Sequence, residues 1–196
     1  MGDGWNHNIH YHDIVLQGVP PSCHRALDIG CGAGLLARQL ARRCEVVLAI
    51  DADRDTLTHA RSAGSLEAGI QFVEGDAMGY PFPEGSFDLV TAVASLHHLP
   101  LRPALGRFRS LLKPGGTLAV IGLYRVSGIE DYAWAAAAIP ASWVLRRMRP
   151  RTKIEAPLQE PKETLREIRA ACDDLLPGGV FRRHLLFRYS FVWRKP

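Results

Sequence analysis

Arg25-Ala-Leu-Asp-Ile-Gly-Cys-Gly-Ala-Gly34 is a short apolar run stopped by three alternating glycines, and a helix-forming stretch follows it at once. Arg25 to Ile29 reads as a strand. Leu35 to Arg43, with Leu36 and Leu40 on one face and a basic last turn, reads as a helix. The same alternation continues downstream. Glu45 to Ile50 is a buried strand ending at Asp51, and a helix is expected from Asp53 to Ala63. Gln71 to Glu74 and Phe87 to Val93 are the third and fourth strands, the latter reached through the turn-rich Pro81-Phe-Pro-Glu-Gly-Ser86. A helix over 101–112 ends at Lys113-Pro-Gly-Gly116, and Thr117 to Leu123 is the fifth strand. Strands separated by helical segments imply a mainly parallel sheet covered on both faces, because parallel neighbours need crossover connections. The fold class is therefore α/β, doubly wound.

Beyond residue 124 the pattern changes to an amphipathic stretch (129–149), a Pro-rich polar link (150–161) and a helix from Glu163 to Leu175. Val180 to Trp193 places Leu185, Phe187, Tyr189, Phe191 and Trp193 on one face and contains no Gly, Pro or Asn turn. One long antiparallel strand closing the sheet is expected there, with a two-stranded hairpin as the open alternative. The whole chain of 196 residues reads as a single domain: an N-terminal lid segment (1–22), a ligand-binding core (23–124), a helical insertion (125–176) and a terminal strand (177–196).

Composition limits the function. The chain is 47% hydrophobic and 22% charged with a net charge of +4, which excludes collagen, coiled coil and disorder. The longest uncharged stretch of the second half, Tyr132 to Leu145, contains Pro140 and falls short of the about 18–20 apolar residues a spanning helix needs. No secretory leader pattern opens the sequence, so a cytoplasmic protein with no membrane insertion is expected. Cys23, Cys31, Cys44 and Cys172 form no CxxC pair, and reduced, structural thiols are expected. Basic residues are concentrated after residue 124, which invites an acidic partner without specifying one.

Ligands of an open α/β sheet bind beyond the carboxyl ends of the strands, beside strand one. Glycines there permit a tight turn and let a ligand approach bare backbone. Asp51 ends strand two, where it can accept both hydroxyls of a ribose. A dinucleotide fingerprint would require glycine where Leu35 stands, so NAD is disfavoured. No P-loop pattern is present.

Asp28-Ile-Gly-Cys-Gly-Ala-Gly34, Asp51, Gly75-Asp76-Ala77, Phe87-Asp-Leu-Val90, Leu96-His-His-Leu99 and Leu112-Lys-Pro-Gly-Gly116 together resemble the successive motifs of class I S-adenosylmethionine-dependent methyltransferases. The match covers roughly residues 24–124 and is most similar to the small-molecule branch typified by ubiquinone and menaquinone biosynthesis methyltransferases. The resemblance implies a Rossmann-like sheet, S-adenosylmethionine as cofactor, S-adenosylhomocysteine as product and a small-molecule methyl acceptor. It also implies site roles. Asp28 and the backbone of Gly30, Cys31, Gly32 and Gly34 would hold the methionine part, Asp51 the ribose, and Asp76 with Ala77 and Met78 the adenine. Ile50 and Ala52 would flank the purine, Ala94 would pass near the sulfonium, and Tyr11 would contact the cofactor from the lid.

His97 and His98 lie just beyond strand four and are the candidate general bases. His7, His10 and His12 are a weak metal trio without a carboxylate, and Ala94 and Ser95 occupy the place of the acidic ligand in metal-dependent relatives, so no metal is expected. Tyr132, Trp134, Ile139, Trp143, Val144 and Met148 are expected to roof an apolar or aromatic acceptor. Arg146, Arg147, Arg149, Arg151 and Lys153 form a basic run, which keeps RNA methylation as an alternative. Ser95-Leu-His-His98 stands where base-modifying enzymes carry a Pro-Pro-aromatic motif, so nucleic acid is disfavoured. A non-catalytic binding protein for the same cofactor is the remaining alternative.

Overall fold

The computed structural model describes residues 11–63, 69–128, 160–184 and 187–196. Among the described residues, seven strands form one sheet: β1 (Cys23–Ile29), β2 (Cys44–Asp51), β3 (Ile70–Glu74), β4 (Phe87–Val93), β5 (Leu112–Leu123), β6 (Val180–His184) and β7 (Arg188–Arg194). Their order is β3-β2-β1-β4-β5-β7-β6. The first five pair in parallel, and β7 runs antiparallel to both β5 and β6. The strand order reverses at β1, which lies between β2 and β4, and that reversal opens a crevice at the carboxyl edge.

The central strands are nearly continuous apolar runs because both faces are covered. Along β1, Leu27 and Ile29 join the core beneath α4 (Leu101–Leu111) and α5 (Leu165–Leu175), while Ala26 faces the opposite core with α2 (Leu35–Leu40). The latter core also takes up α1 (His12–Gln17) through Val15, and α3 (Arg54–Ser62) through Leu57. Local chemistry sets the helix starts. Asp53 caps α3 by accepting from the Asp55 and Thr56 N–H groups, and Thr164 and Glu167 form a reciprocal capping box at α5.

Two of the sequence motifs clamp the edge of the sheet away from the crevice. The Asp88 carboxylate accepts from the His24 and Arg25 N–H groups at 3.1 and 2.8 Å and from Lys113 Nζ at 2.7 Å. Burial raises the Asp88 pKa, but these donors more than offset it and hold the carboxyl below its usual range.

The structure decides one open alternative and corrects one expectation. Val180 to Trp193 takes the hairpin form, not the single strand: β6 ends at His184, which pairs with Arg188 at the start of β7. The reversal lacks glycine because Phe187 itself adopts the left-handed conformation, at φ 58°. The expected one-face alternation survives in β7, where Tyr189, Phe191 and Trp193 are buried against α5, whereas Phe187 is exposed and Leu185 lies outside the described residues. Cys23 and Cys44 are joined as a disulfide, not reduced as expected; Cys31 and Cys172 are free. The pairing follows from the parallel register, which sets Cys23 directly beside Cys44 although 21 positions separate them.

Among the described residues no helix is long and apolar enough to cross a membrane. The amphipathic stretch, its apolar acceptor roof and the basic run Arg146 to Lys153 lie outside the described residues, as do His7 and His10.

Candidate functional site

A cavity of about 350 Å³ opens over the carboxyl ends of β1, β2 and β4. The glycine loop forms its floor, tied down where the Gly30 and Cys31 N–H groups both donate to the Ile50 carbonyl at 2.8 and 3.1 Å. Gly30, Gly32 and Gly34 all have positive φ, for three different reasons. A Cβ on Gly30 would stand 2.4 Å from the Ser95 Cβ, so Gly30 lets the loop approach the segment after β4. A Cβ on Gly34 would stand 2.7 Å from the Phe72 ring. A Cβ on Gly32 would meet no protein atom within 4 Å: it would project into open space beside a cavity that Gly32 lines.

Four aspartates line the cavity wall: Asp53, already engaged as the cap of α3, and Asp28, Asp51 and Asp76. Asp51 accepts the Gly32 N–H on Oδ2 at 2.8 Å and the Asp53 N–H on Oδ1 at 3.0 Å, which fixes its orientation and leaves each oxygen a second lone pair. Asp76 is steadied by its own turn, accepting the Met78 N–H at 2.9 Å. Asp28 is 2% exposed. Its Oδ1 accepts from Thr91 Oγ1 at 2.8 Å, while its Oδ2 is buried with no hydrogen-bond partner among the described residues. Burial pushes its pKa up to about 7; the Thr91 hydroxyl lowers it and the nearby Asp51 charge raises it. Such a group lacks a cationic partner.

Cys31 also lines the cavity, but burial and the charges of Asp28 and Asp51 drive its thiol pKa far above the ordinary value. It is therefore no nucleophile. Ala94 follows β4 at φ 54°, its N–H held by the Ile121 carbonyl at 2.7 Å.

The opposite end of the wall carries imidazoles. His98 lines the cavity, whereas His97 does not. Their rings lie 4.0 Å apart in the 3-10 turn Leu96–His98. Burial, reinforced by the His98 and Arg188 charges, pulls the His97 pKa down to about 4, and its Nδ1 is buried with no hydrogen-bond partner among the described residues. Tyr11 is buried 5.1 Å from the His184 ring and is not on the wall. Its neighbour His12 is on the wall, 5% exposed, with Nδ1 2.8 Å from Gln39 Oε1.

Of the candidate residues, Asp28, Gly30, Cys31, Gly32, Asp51, Ala52, Asp76, Ala77, Ala94 and His98 are brought together on this one wall, as is Ile50. Tyr11, Gly34, Met78 and His97 are not part of it. His12, Val93 and Leu99 are wall residues that sequence reasoning left unassigned to the cofactor or acceptor. Only the imidazole-rich run before α1 hinted at His12. Among the described residues no group of His, Cys, Asp and Glu side chains could hold a metal ion.

Comparison with known proteins gives a consistent picture. A family model described as a methyltransferase domain matches residues 27–120. An uncharacterized methyltransferase of Mycobacterium tuberculosis is 37% identical over 198 residues, covering all of both chains. A ubiquinone biosynthesis O-methyltransferase of Xanthomonas campestris is 36% identical over 165 residues, covering 81% of this chain and 66% of the relative. The solved structure of a SAM dependent methyltransferase from Aquifex aeolicus superposes with a TM-score of 0.64 at 16% identity, covering 94% of this chain and 89% of that one. That likeness is one of fold.

Proposed function

This chain belongs to the class I S-adenosylmethionine-dependent methyltransferases, and on that premise we propose that it methylates a small apolar or aromatic metabolite, with Asp28, Asp51 and Asp76 holding the cofactor in the cavity. The observation that carries the assignment is the convergence of these three carboxylates with the bare backbone of Gly32 on one wall. The residues fit the cofactor chemically. The Asp28 Oδ2, buried and lacking a partner among the described residues, suits an ammonium group. The two free lone pairs of Asp51 suit vicinal ribose hydroxyls, and Asp76 suits an exocyclic amine. Ile50, Ala52 and Ala77 offer apolar flanks for a purine.

When bound, the cofactor supplies a methyl group on a positively charged sulfur. The protein's part is chiefly positioning and exclusion of water. Asp51 and the Gly32 N–H form one rigid unit, so the ribose site needs no rearrangement to accept its ligand. Val93, Leu99 and the Ala94 backbone line the end of the wall beyond the glycine loop and offer an apolar surface to an acceptor. The name of the Xanthomonas relative supports a hydroxyl acceptor here. Of the two histidines after β4, His98 lines the cavity and His97 does not. The apolar roof belongs, in this reading, to the insertion 125–176.

Calorimetry tests the assignment. S-adenosylhomocysteine should bind the wild-type chain saturably, and Asp51→Ala should abolish or strongly weaken the binding while the protein remains folded. Equal binding by both proteins would remove the basis for it.

A further inference from the structure

The cavity has a direction. Strand order places Gly75, Asp76 and Ala77 after β3 at one end, the Asp51 segment next, then the glycine loop after β1, and Val93 to Leu99 after β4 at the other end. The helix α1 packs against α2 and β5, so His12 belongs to the β4–β5 end, opposite the carboxylates proposed for the adenosine. A reacting methyl group must be presented at that far end.

The chemistry of His12 is set by its partner. Gln39 Oε1 is a carbonyl oxygen and can only accept, so the 2.8 Å contact requires the proton on His12 Nδ1. The neutral ring then has Nε2 as a bare acceptor. Among the described residues no hydrogen bond to Nε2 competes with the Gln39 contact, and the ring lines the cavity. Burial lowers the imidazole pKa, the Gln39 bond and the adjacent Asp13 charge partly opposing it, so the ring stays neutral at physiological pH. The other groups around it leave this unchanged in kind: Gln39 from α2 is uncharged, Arg43 is engaged with the Leu16 carbonyl at the far end of α1, and Asp28 and His98 stand on the same cavity wall.

We propose that His12 is the proton acceptor for a hydroxyl-bearing methyl acceptor, with Gln39 as the positioning residue that fixes its tautomer. The inference rests on the methyltransferase reading above and deepens it. In the step, the acceptor oxygen forms the new bond to the methyl carbon with its own lone pair, and the electron pair of the broken carbon–sulfur bond stays on sulfur. The hydroxyl proton passes to His12 Nε2, and the imidazolium then returns it to water. His12 differs from His97, which does not line the cavity. A ring that accepts at Nε2 and donates only to Gln39 cannot hydrogen-bond the cofactor's carboxylate while neutral, and its free lone pair is available to an acidic hydroxyl.

The test combines nitrogen NMR with binding and turnover. With histidine-labelled protein saturated with S-adenosylhomocysteine, His12 should show a protonated Nδ1 and an unprotonated Nε2 at pH 7, and Gln39→Leu should populate the other tautomer. His12→Asn should bind S-adenosylhomocysteine within about twofold of wild type. Across a panel of phenols headed by catechol, with matched anilines, wild-type kcat for the phenols should fall at acid pH with a midpoint below 6.5. His12→Asn should lose that limb and about 100-fold or more of kcat, and Gln39→Leu should fall between the two. An Nε2-protonated or cationic His12 at pH 7 would overturn the proposal, as would an unchanged kcat in His12→Asn. A tenfold loss of S-adenosylhomocysteine affinity in His12→Asn would also overturn it, by making the ring a cofactor ligand. Absence of S-adenosylhomocysteine binding to wild type would instead defeat the underlying assignment.

Discussion

The two ends of the cavity are built on different plans. At the carboxylate end, Asp76 is oriented by the N–H two residues on, and Asp51 by the N–H of Asp53 and by the glycine loop of the adjoining strand. At the imidazole end, His12 is set by Gln39, 27 positions away, and His97 feels the charge of Arg188 from β7. Short-range bonding makes the first end rigid before any ligand arrives. The second end is assembled from distant segments and is where substrate choice can vary without disturbing the cofactor.

If the carboxylate end is a preformed ligand cradle, its most damaging single change should be Asp51→Ala. That change removes the acceptor for two ribose hydroxyls and frees the Gly32 loop. S-adenosylhomocysteine affinity measured by calorimetry should fall about 1,000-fold, the size of two charge-assisted hydrogen bonds.

Asp28 shows what that cradle costs the free protein. Its folded-state pKa of about 7 lies above the ordinary 3.8, so the folded chain holds this proton too tightly and loses stability as pH rises between those values. Asp28→Asn should accordingly be more stable at pH 8 by about 4 kcal/mol in urea titration, with no gain at pH 3.5. The variant should bind S-adenosylhomocysteine about 100-fold more weakly, a smaller loss than that of Asp51→Ala. Wild-type affinity should weaken below pH 7, approaching tenfold per unit, because the ammonium needs the ionised carboxyl.

The glycines separate folding from binding within one loop. Gly30→Ala drives a methyl into Ser95 at a left-handed position and should lower stability by about 2–3 kcal/mol in urea titration. Gly32→Ala clashes with nothing in the protein; it should cost about 1 kcal/mol of backbone strain, and about tenfold in S-adenosylhomocysteine affinity because its methyl stands where ligand must approach. The smallest effect belongs to the imidazole end. His97→Phe removes a buried nitrogen that has no hydrogen-bond partner among the described residues and should raise stability by about 1 kcal/mol, leaving S-adenosylhomocysteine affinity unchanged.

The same contrast explains what can be read from the sequence. The parallel core and its crevice are legible because each strand is a nearly continuous apolar run and most ligand-facing groups have a local cause: a glycine at positive φ, or an aspartate bonded to the turn beside it; Asp28, bonded instead to Thr91 of β4, is read from its motif alone. Asp88 is a partial exception. It belongs to a recognisable motif, yet it serves as a clamp with Lys113 on the edge away from the site. What resists reading is long-range. The Cys23–Cys44 bond requires knowing which strands are neighbours and in what register. The reversal at Phe187 uses a bulky residue where glycine is the usual signal. His12 becomes a site residue only once α1 is laid against α2, since a histidine on a six-residue helix carries no mark of its partner.

The position of β7 between β5 and β6 makes the hairpin an obligatory assembly unit. Among the described residues β6 pairs with β7 alone, so its place in the sheet depends on β7 docking along β5 from Thr117 to Leu123. As the outer border, β6 is short and carries Arg182, Arg183 and His184, which discourages other chains from adding to it. The border of β5 has no such guard. If the hairpin detached, Leu118 to Ile121 would lie bare along an unpaired row of backbone donors and acceptors, the geometry from which intermolecular sheets grow. Tyr189, whose ring fills the space above Gly122, is the latch on that seam, and loosening it would first be seen as loss of solubility.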